Sequence, residues 1–232
     1  MSFQVITDYA EALSFLDKYP RHQRLIKTWV PKSHFIELLH NEAGISISRE
    51  DDGMFAFSLG DKAPIRESWR KISFERTSKW LPSVESSDKT EWEAHFIAID
   101  PKPLFGRTKR LSDSEITDFL KSNAPESSVF PGSDEIVHWT SLYDGDQLVG
   151  VGAICRWQSG EYVIASVATD MNSRGKGFGK KLMELMKSDL ANLGISEACL
   201  GVLSENLAAK RVYELVGFNE LFKLTFVPNF EN

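Results

Sequence analysis

The chain has 232 residues, of which 42% are hydrophobic, 26% charged and 11% aromatic. This composition is typical of a globular protein and excludes a mainly disordered or membrane-embedded one, and the length suits one large domain or two small ones. The net charge of −6 argues against a general nucleic-acid or anionic-membrane binder, because both partners favour basic surfaces. We therefore expect neither nucleic acid nor a membrane as a partner.

The first hundred residues combine helical and strand-like patterns. Apolar spacing predicts helices over residues 10–19 and 33–39. Strand-like alternation predicts three further segments, which are 45–48, 54–59 and 93–99. The first two of these strands flank the turn 51–53 and predict a hairpin, whereas residues 83–90 are polar and loop-like.

Residues 100–103, with the sequence Asp-Pro-Lys-Pro, mark the predicted domain boundary, because two prolines so close together interrupt a regular element. We expect a smaller α+β domain in residues 1–103 and a second domain in residues 104–232.

The second half alternates between helical and extended patterns. Helical spacing covers three segments, which are 112–122, 178–193 and 206–216. Extended patterns cover five segments, which are 136–143, 147–157, 161–169, 198–203 and 218–227. The turn 144–146 joins the first two of these strands, and Gly150 and Gly152 permit another element to approach the second one closely.

A glycine-rich run lies between a predicted strand and a predicted helix, with the sequence Arg174-Gly175-Lys176-Gly177-Phe178-Gly179-Lys180. Glycines in such a turn expose backbone N–H groups at the positive end of the helix, where a phosphate or pyrophosphate binds. Glycine is needed because a side chain would hold the phosphates away and because such turns often require positive φ. The arginine and the two lysines add positive charge.

The spacing of this run excludes two common nucleotide loops. Lys181 follows Lys180 where a Walker loop has Ser or Thr, and Arg174 stands where that loop has its first glycine. A dinucleotide fingerprint needs Gly-x-Gly-x-x-Gly, whereas these glycines occur at every second position. The alternative is a flexible loop that only joins strand to helix.

Several motifs occur together around this run and beyond it. They are Val167-Ala168-Thr169-Asp170, Arg174 to Gly179, Leu200-Gly201-Val202, Asn206, Ala209, Tyr213 and Gly217-Phe218. The set resembles the GNAT superfamily of N-acetyltransferases, within it the mycothiol-synthase-like and glycine N-acyltransferase-like subgroup. The resemblance covers residues 109–232; Met171 stands where many relatives carry proline, and Ser173 where an aromatic residue is frequent.

The resemblance implies an α/β (α+β) GNAT fold, with a mixed central sheet and flanking helices, and acetyl-CoA as a cosubstrate without a metal. Backbone groups of Val167 and Thr169 would hold the pantetheine arm and the acetyl carbonyl. Arg174 would lie at the rim of the pyrophosphate site. The remaining cofactor-binding residues that it implies are Gly175, Lys176, Gly177, Phe178, Gly179, Lys180, Asn206 and Ala209.

The roles of Asn206 and Tyr213 each have a structural alternative. Asn206 would hydrogen-bond the pantetheine, although asparagine is equally common as a helix N-cap. Tyr213 lies nearly two helical turns later on the same face, with the small Ala209 between them. By resemblance Tyr213 would protonate the leaving thiolate as a general acid; otherwise it packs in the core beside Leu215 and Val216.

The attacking amine must lose a proton, so a general base is expected. Glu161 is our candidate, because histone-acetylating relatives carry a catalytic glutamate at a similar offset from the loop. The alternative is a solvated carboxylate at the end of a strand. His138 and Asp134 are weaker candidates, and a chain of waters could serve instead.

The expected reaction is direct transfer of an acetyl group from acetyl-CoA to the primary amine of a small molecule or peptide, by a monomer or homodimer. A non-catalytic module that binds coenzyme A or an acyl-CoA is the alternative. The first hundred residues could be a degenerate copy of the same fold. Their four tryptophans could line an acceptor pocket, but we expect them to be core residues.

The two cysteines, Cys155 and Cys199, lie in apolar, strand-like segments. This favours reduced core residues over a disulfide, a zinc site or a covalent acyl carrier. The first twenty residues do not resemble a signal peptide, and no apolar stretch is long enough to span a bilayer. We therefore expect a cytoplasmic protein.

Overall fold

A computed structural model of the chain describes residues 2–51, 53–81, 89–100 and 111–231. Their strands and helices fall into two compact units. The first unit is Met1–Ala94, Leu203–Glu205 and Glu220–Asn232, and the second is His95–Val202 and Asn206–Asn219. The predicted boundary at 103/104 lies outside the described residues and stays a prediction.

The first unit combines two helices with a mainly antiparallel set of strands. The elements that begin in it are β1 (Gln4–Ile6), α1 (Tyr9–Phe15), α2 (Pro20–Trp29), β2 (Phe35–Asn41), β3 (Gly44–Glu50), β4 (Met54–Leu59), β5 (Lys71–Glu75) and β6 (Thr90–Ala98). Its strand order is β1-β2-β3-β4-β5-β11, where β11 is Asn219–Val227. Strands β4 and β5 run parallel. Trp69 is only 1% exposed, so this tryptophan belongs to the core.

The helix predicted over residues 33–39 is wrong, because this segment forms strand β2. Phe35, Leu38 and Leu39 have the i, i+3, i+4 spacing that favours a helix. The strand pairs with β1 on one side and β3 on the other. Leu38 and Leu39 are both fully buried, and a strand covered on both faces lacks the alternation that would identify it.

Other elements of the first unit follow the sequence more closely. The hairpin is confirmed, since β3 and β4 pair antiparallel from Ile45↔Leu59 to Glu50↔Met54. The helix expected over 10–19 ends earlier, at Phe15, and is followed by a short 3-10 turn. Helix α2 was not predicted; its first residue is Pro20, a position where proline costs no hydrogen bond. Asp52, most of the polar stretch 83–90 and the prolines at 101 and 103 lie outside the described residues.

The second unit contains three helices around its strands. The elements that begin in it are α3 (Asp113–Asn123), β7 (Ile136–Asp144), β8 (Gln147–Arg156), β9 (Tyr162–Thr169), α4 (Phe178–Asn192), β10 (Glu197–Leu203), α5 (Leu207–Leu215) and β11. Its strand order is β6-β10-β9-β8-β7, with β9 and β10 parallel. This mixed sheet with flanking helices confirms the predicted fold class.

Helices α3 and α4 cover opposite faces of β8 and β9. Alternate residues of a strand face opposite ways. Val151 and Ala168 pack with Ile116 of α3, whereas Ile154 packs with Leu182 of α4. A capping box at Ser112, in which Ser112 and Glu115 bond each other's backbone, fixes the start of α3.

The glycines of β8 allow α4 to lie directly against the sheet. A β-carbon on Gly152 would lie 2.5 Å from the Met186 sulfur, and one on Gly150 would lie 3.2 Å from Leu182 Cδ2. The close approach predicted from these glycines is therefore confirmed. It fixes the position of the helix whose first turn follows the glycine loop.

Within the described parts of the chain, no helix has both the length and the apolar character required to cross a bilayer.

Candidate active site

The glycine loop adopts a conformation that requires glycine. Gly175 has φ 78° and Gly177 has φ 81°, both in the left-handed region that L-residues with side chains rarely occupy. A β-carbon on either residue would meet no described atom within 4 Å, so the space beside the loop is open. Gly177 is the N-cap of α4, and the helix begins at Phe178.

The first turn of α4 offers N–H donors to this open space. The first intrahelical bond is the one from the Lys181 N–H to the Gly177 carbonyl, 3.2 Å, so the N–H groups of residues 178–180 have no acceptor within the helix. The helix dipole adds partial positive charge at the same end. These features suit a phosphate or pyrophosphate. The Phe178 side chain is buried, so this residue can contribute only its backbone.

Helix α3 supports the loop through a residue that the sequence did not single out, Asn123. The Arg174 guanidinium donates to the Asn123 carbonyl oxygen, 3.0 Å, and the Met171 N–H donates to Asn123 Oδ1, 2.9 Å. Arg174 thus anchors the loop in addition to carrying charge near it. Lys176 and Lys180 are exposed.

Strands β9 and β10 separate as they approach the loop. Among the described residues they share a single paired position, Val163 with Cys199. On its other side β9 stays paired with β8 as far as Thr169. Among the described residues, β9 and β10 share no paired position beyond Val163, so this part of β9 can offer backbone donors and acceptors to a ligand between the two strands.

Residues of α4, α5 and β9 meet beside the loop. A β-carbon on Gly179 would lie 3.5 Å from Val212 Cγ2 and 4.0 Å from Thr169 Cγ2. Helix α5 is capped by Asn206, whose Oδ1 accepts from the Ala209 N–H at 3.1 Å. The capping alternative for Asn206 is therefore present, although its Nδ2 could still donate to a ligand. Its role in cofactor binding stays a prediction.

Tyr213 follows Val212 on α5 and is 8% exposed. Its ring centroid lies 5.8 Å from that of Phe218 and 6.4 Å from that of His95. Burial raises the pKa of the Tyr213 phenol to about 12. Tyr213 is thus a core residue that keeps its proton throughout the neutral range. Its role as a general acid stays a prediction. His95 had no sequence signal, because only the packing of β6 brings it near α5.

Glu161 lies immediately before β9, at the opposite end of the strand from the loop. Eight residues separate it from Thr169, which corresponds to about 26 Å of extended chain at about 3.3 Å per residue. Its N–H donates to Ser159 Oγ, 3.3 Å. The structure therefore does not bring Glu161 near the glycine loop; it lies near Val163, where β9 and β10 meet.

The other candidate bases lie apart from the loop as well. His138 on β7 contacts Asp189 Oδ2 through Nε2 at 3.2 Å, and Thr140 donates to the same carboxylate oxygen at 2.6 Å. Asp189 follows Phe178 by eleven residues, or about 16 Å along the helix. Asp134 lies in the turn before β7.

Both cysteines are buried, and neither forms a disulfide. Burial, with a smaller contribution from Glu135, raises the pKa of the Cys155 thiol to about 12, so it is a poor nucleophile. Among the residues that the structure describes, no three His, Cys, Asp or Glu side chains are grouped as a metal site would require.

The sequence around this site matches known acetyltransferases. Residues 108–218 match the profile of the Acetyltransferase (GNAT) family. This part of the chain belongs to the GNAT superfamily.

Two curated relatives are 33% identical to parts of this chain. One is [ribosomal protein bS18]-alanine N-acetyltransferase of Haemophilus ducreyi, matched over 69 residues, 30% of this chain and 48% of that protein. The other is mycothiol acetyltransferase of Nocardioides sp., matched over 94 residues, 40% of this chain and 30% of that protein. The second match confirms the predicted resemblance to the mycothiol-synthase-like subgroup. The chain thus spans about half or less of the length of these relatives.

Solved structures with the GNAT fold resemble the chain over a longer range. A GCN5-related N-acetyltransferase from Sphaerobacter thermophilus aligns with a TM-score of 0.57 at 13% identity. The alignment covers 99% of this chain and 98% of that protein's chain. One from Kribbella flavida has a TM-score of 0.51 at 13% identity, and covers 83% of this chain and 89% of its own. At these identities the similarity is one of fold, and it extends beyond residues 108–218.

Proposed function

We propose that the second unit binds acetyl-CoA and transfers its acetyl group to a primary amine by direct attack. The observation that carries the proposal is the arrangement of the glycine loop, the separated strands β9 and β10, and Tyr213 within one unit. An anion site, an unpaired strand edge and a proton donor are what the two ends of an acyl-CoA require.

The cofactor would lie with its pyrophosphate on the N–H groups of residues 175–180. Its pantetheine arm would then extend along β9 past Thr169 and Val167, towards Val163. In this orientation the thioester is the part of the cofactor farthest from the loop. Asn206 and Ala209 would border the arm from the side of α5.

The chemical step needs two proton movements. The neutral amine attacks the thioester carbonyl, and N–H groups of β9 stabilise the negative charge that develops on its oxygen. The C–S bond breaks, and the thiolate of coenzyme A takes a proton from the Tyr213 hydroxyl. The nitrogen gives up its proton to a base or to water.

Glu161 remains our candidate base because of this orientation. It lies at the end of β9 towards which the thioester would point, not at the end that binds phosphate. A carboxylate there would contact the acceptor rather than the cofactor, directly or through water. The acceptor is proposed to be a small-molecule or peptide amine.

The test mixes the protein with acetyl-CoA and a panel of amines and of peptides with a free amino terminus. Release of coenzyme A is followed with a thiol reagent. We expect release by the wild type and a loss of about 10²–10⁴ in kcat for Tyr213→Phe, with little change in KM for acetyl-CoA, because the phenol acts only on the leaving group. The Gly145→Ala variant, changed in the β7–β8 turn, is the control. Equal kcat for wild type and Tyr213→Phe would contradict the assigned acid.

A second candidate function is a module that binds coenzyme A or an acyl-CoA without turnover. The observation that favours it is the burial of Tyr213. A phenol of pKa about 12 is a weak donor to a thiolate, whose usual pKa is about 8.5. Saturable binding of acetyl-CoA with no release of coenzyme A from any amine would favour this function.

A further inference from the structure

Strand β9 contains an irregularity between Ala165 and Ala168. On β8 the paired positions advance by two residues, from Val151 to Ala153, whereas on β9 they advance by three, from Ala165 to Ala168. The extra residue on β9 is a β-bulge, which bends a strand and increases its local twist. It lies beyond Val163, the last position at which β9 is paired with β10.

Ser166 holds the backbone conformation of this bulge. It has φ 49°, the only positive φ of a non-glycine residue in the described part of the chain. This region is unfavourable for a residue with a side chain, so surrounding contacts must hold Ser166 in it.

Two hydrogen bonds from one hydroxyl provide that hold. Ser166 Oγ donates to the Val129 carbonyl oxygen at 2.7 Å and accepts from the Val129 N–H at 3.1 Å. Val129 is 4% exposed and packs with Ala153 and Cys155, so the backbone to which Ser166 is hydrogen-bonded is itself fixed by packing. We call this pair of bonds the Ser166 clamp.

The bulge decides which way the following residues face. Ala165 packs against the cluster that contains Val129, and the Ser166 side chain bonds to Val129, so these two successive residues share one face. Val167 then packs against the α4 side and Ala168 against the α3 side. Without the bulge, the side chains of Val167 and Thr169 would both point to the opposite face of the sheet. A shift of one residue moves every following side chain of a strand to the other face.

We infer that Ser166 is a positioning residue for acetyl-CoA: through its clamp on Val129 it holds the bulge that orients the backbone of Val167 and Thr169 towards the pantetheine arm. This inference rests on the proposed function. It assigns Ser166 no contact with the reacting atoms.

The experiment measures separately how the pantetheine arm and the nucleotide part of the cofactor contribute to binding. Binding of acetyl-CoA is compared by calorimetry with binding of adenosine 3′-phosphate 5′-diphosphate, the nucleotide part of coenzyme A, which has no pantetheine arm. The variants are Ser166→Gly, which permits the positive φ but removes both hydrogen bonds, and Ser166→Asn, which tolerates that φ and offers an acceptor to Val129. Ser188→Ala, which removes a side-chain bond to the Glu184 carbonyl in α4, is the matched control.

We expect Ser166→Gly to weaken acetyl-CoA binding at least tenfold and nucleotide binding less than twofold, with partial recovery in Ser166→Asn and no selective loss in Ser188→Ala. Circular dichroism and the melting temperature confirm that each variant is folded at the temperature of measurement. Equal loss of both ligands, or unchanged acetyl-CoA binding in Ser166→Gly, would overturn the inference while leaving the wild-type function intact. If the wild type binds neither ligand, the proposed function fails, and the inference fails with it.

Discussion

The burial of Tyr213 makes the stability of the second unit depend on pH. Burial raises the pKa of its phenol from about 10 to about 12, so the folded state favours the protonated form. The stabilising contribution of this group is complete below pH 10 and is lost as the pH rises from about 10 to about 12. A shift of two pKa units corresponds to roughly 3 kcal/mol.

The alkaline unfolding of wild type and Tyr213→Phe should therefore differ. We expect the free energy of unfolding of the wild type to fall between pH 9 and pH 12 by roughly 3 kcal/mol more than that of Tyr213→Phe. Urea titrations at several pH values measure it, and the absorbance of tyrosinate identifies the late-titrating phenol. Parallel curves for the two proteins would mean that Tyr213 ionises normally in the folded state.

Some residue roles could not have been predicted from the sequence, because they depend on contacts between distant positions. Ser166 and Val129 are 37 residues apart, and the serine lies in an otherwise ordinary apolar strand. Asn123 holds the loop from 48 residues away. In contrast, the need for Gly175 and Gly177 was visible locally, since a glycine repeat before a helix predicts positive φ.

At the scale of elements, the contact between α4 and β8 depends on the missing side chain of Gly152. A β-carbon there would lie 2.5 Å from the sulfur of Met186, which is fully buried, so the end of the Met186 side chain would have to move. At Gly150 the nearest atom would be 3.2 Å away, so a methyl group requires a smaller shift.

This difference predicts a graded effect of two equivalent substitutions. We expect Gly152→Ala to lower the free energy of unfolding by about 1–3 kcal/mol, the usual cost of overpacking, and Gly150→Ala to lower it by less. Chemical denaturation measures both. If the strain lies at Met186, Gly152→Ala should cost less in a Met186→Ala background than in the wild type. An equal cost in both backgrounds would place the strain elsewhere.

Prediction of elements succeeded where local chemistry decides the structure and failed where tertiary pairing does. The β7–β8 hairpin and the start of α4 follow from turn glycines and were predicted. Strand β2 was not, because Leu38 and Leu39 are buried on opposite faces by partners that the local pattern does not reveal. The bulge in β9 is invisible in the sequence for the same reason.

At the scale of the whole molecule, the family match and the fold extend over different parts of the chain. The match to the GNAT family covers residues 108–218, whereas the fold similarity to the Sphaerobacter thermophilus structure covers 99% of the chain. The possibility that the first hundred residues are a degenerate copy of the same fold stays a prediction. The glycine loop that would bind the cofactor belongs to the second unit.

The melting temperature with and without acetyl-CoA tests the central claim most directly, for wild type, Gly177→Glu and Gly145→Glu. Both glycines have positive φ and open surroundings, 81° and 60°, but only Gly177 lies at the start of α4. At a hundredfold excess over Kd, binding stabilises the folded state by about 2.7 kcal/mol, or roughly 5–10 °C. We predict this shift in wild type and Gly145→Glu and its loss in Gly177→Glu; no shift in the wild type at millimolar acetyl-CoA, or an equal shift in all three, would contradict the account.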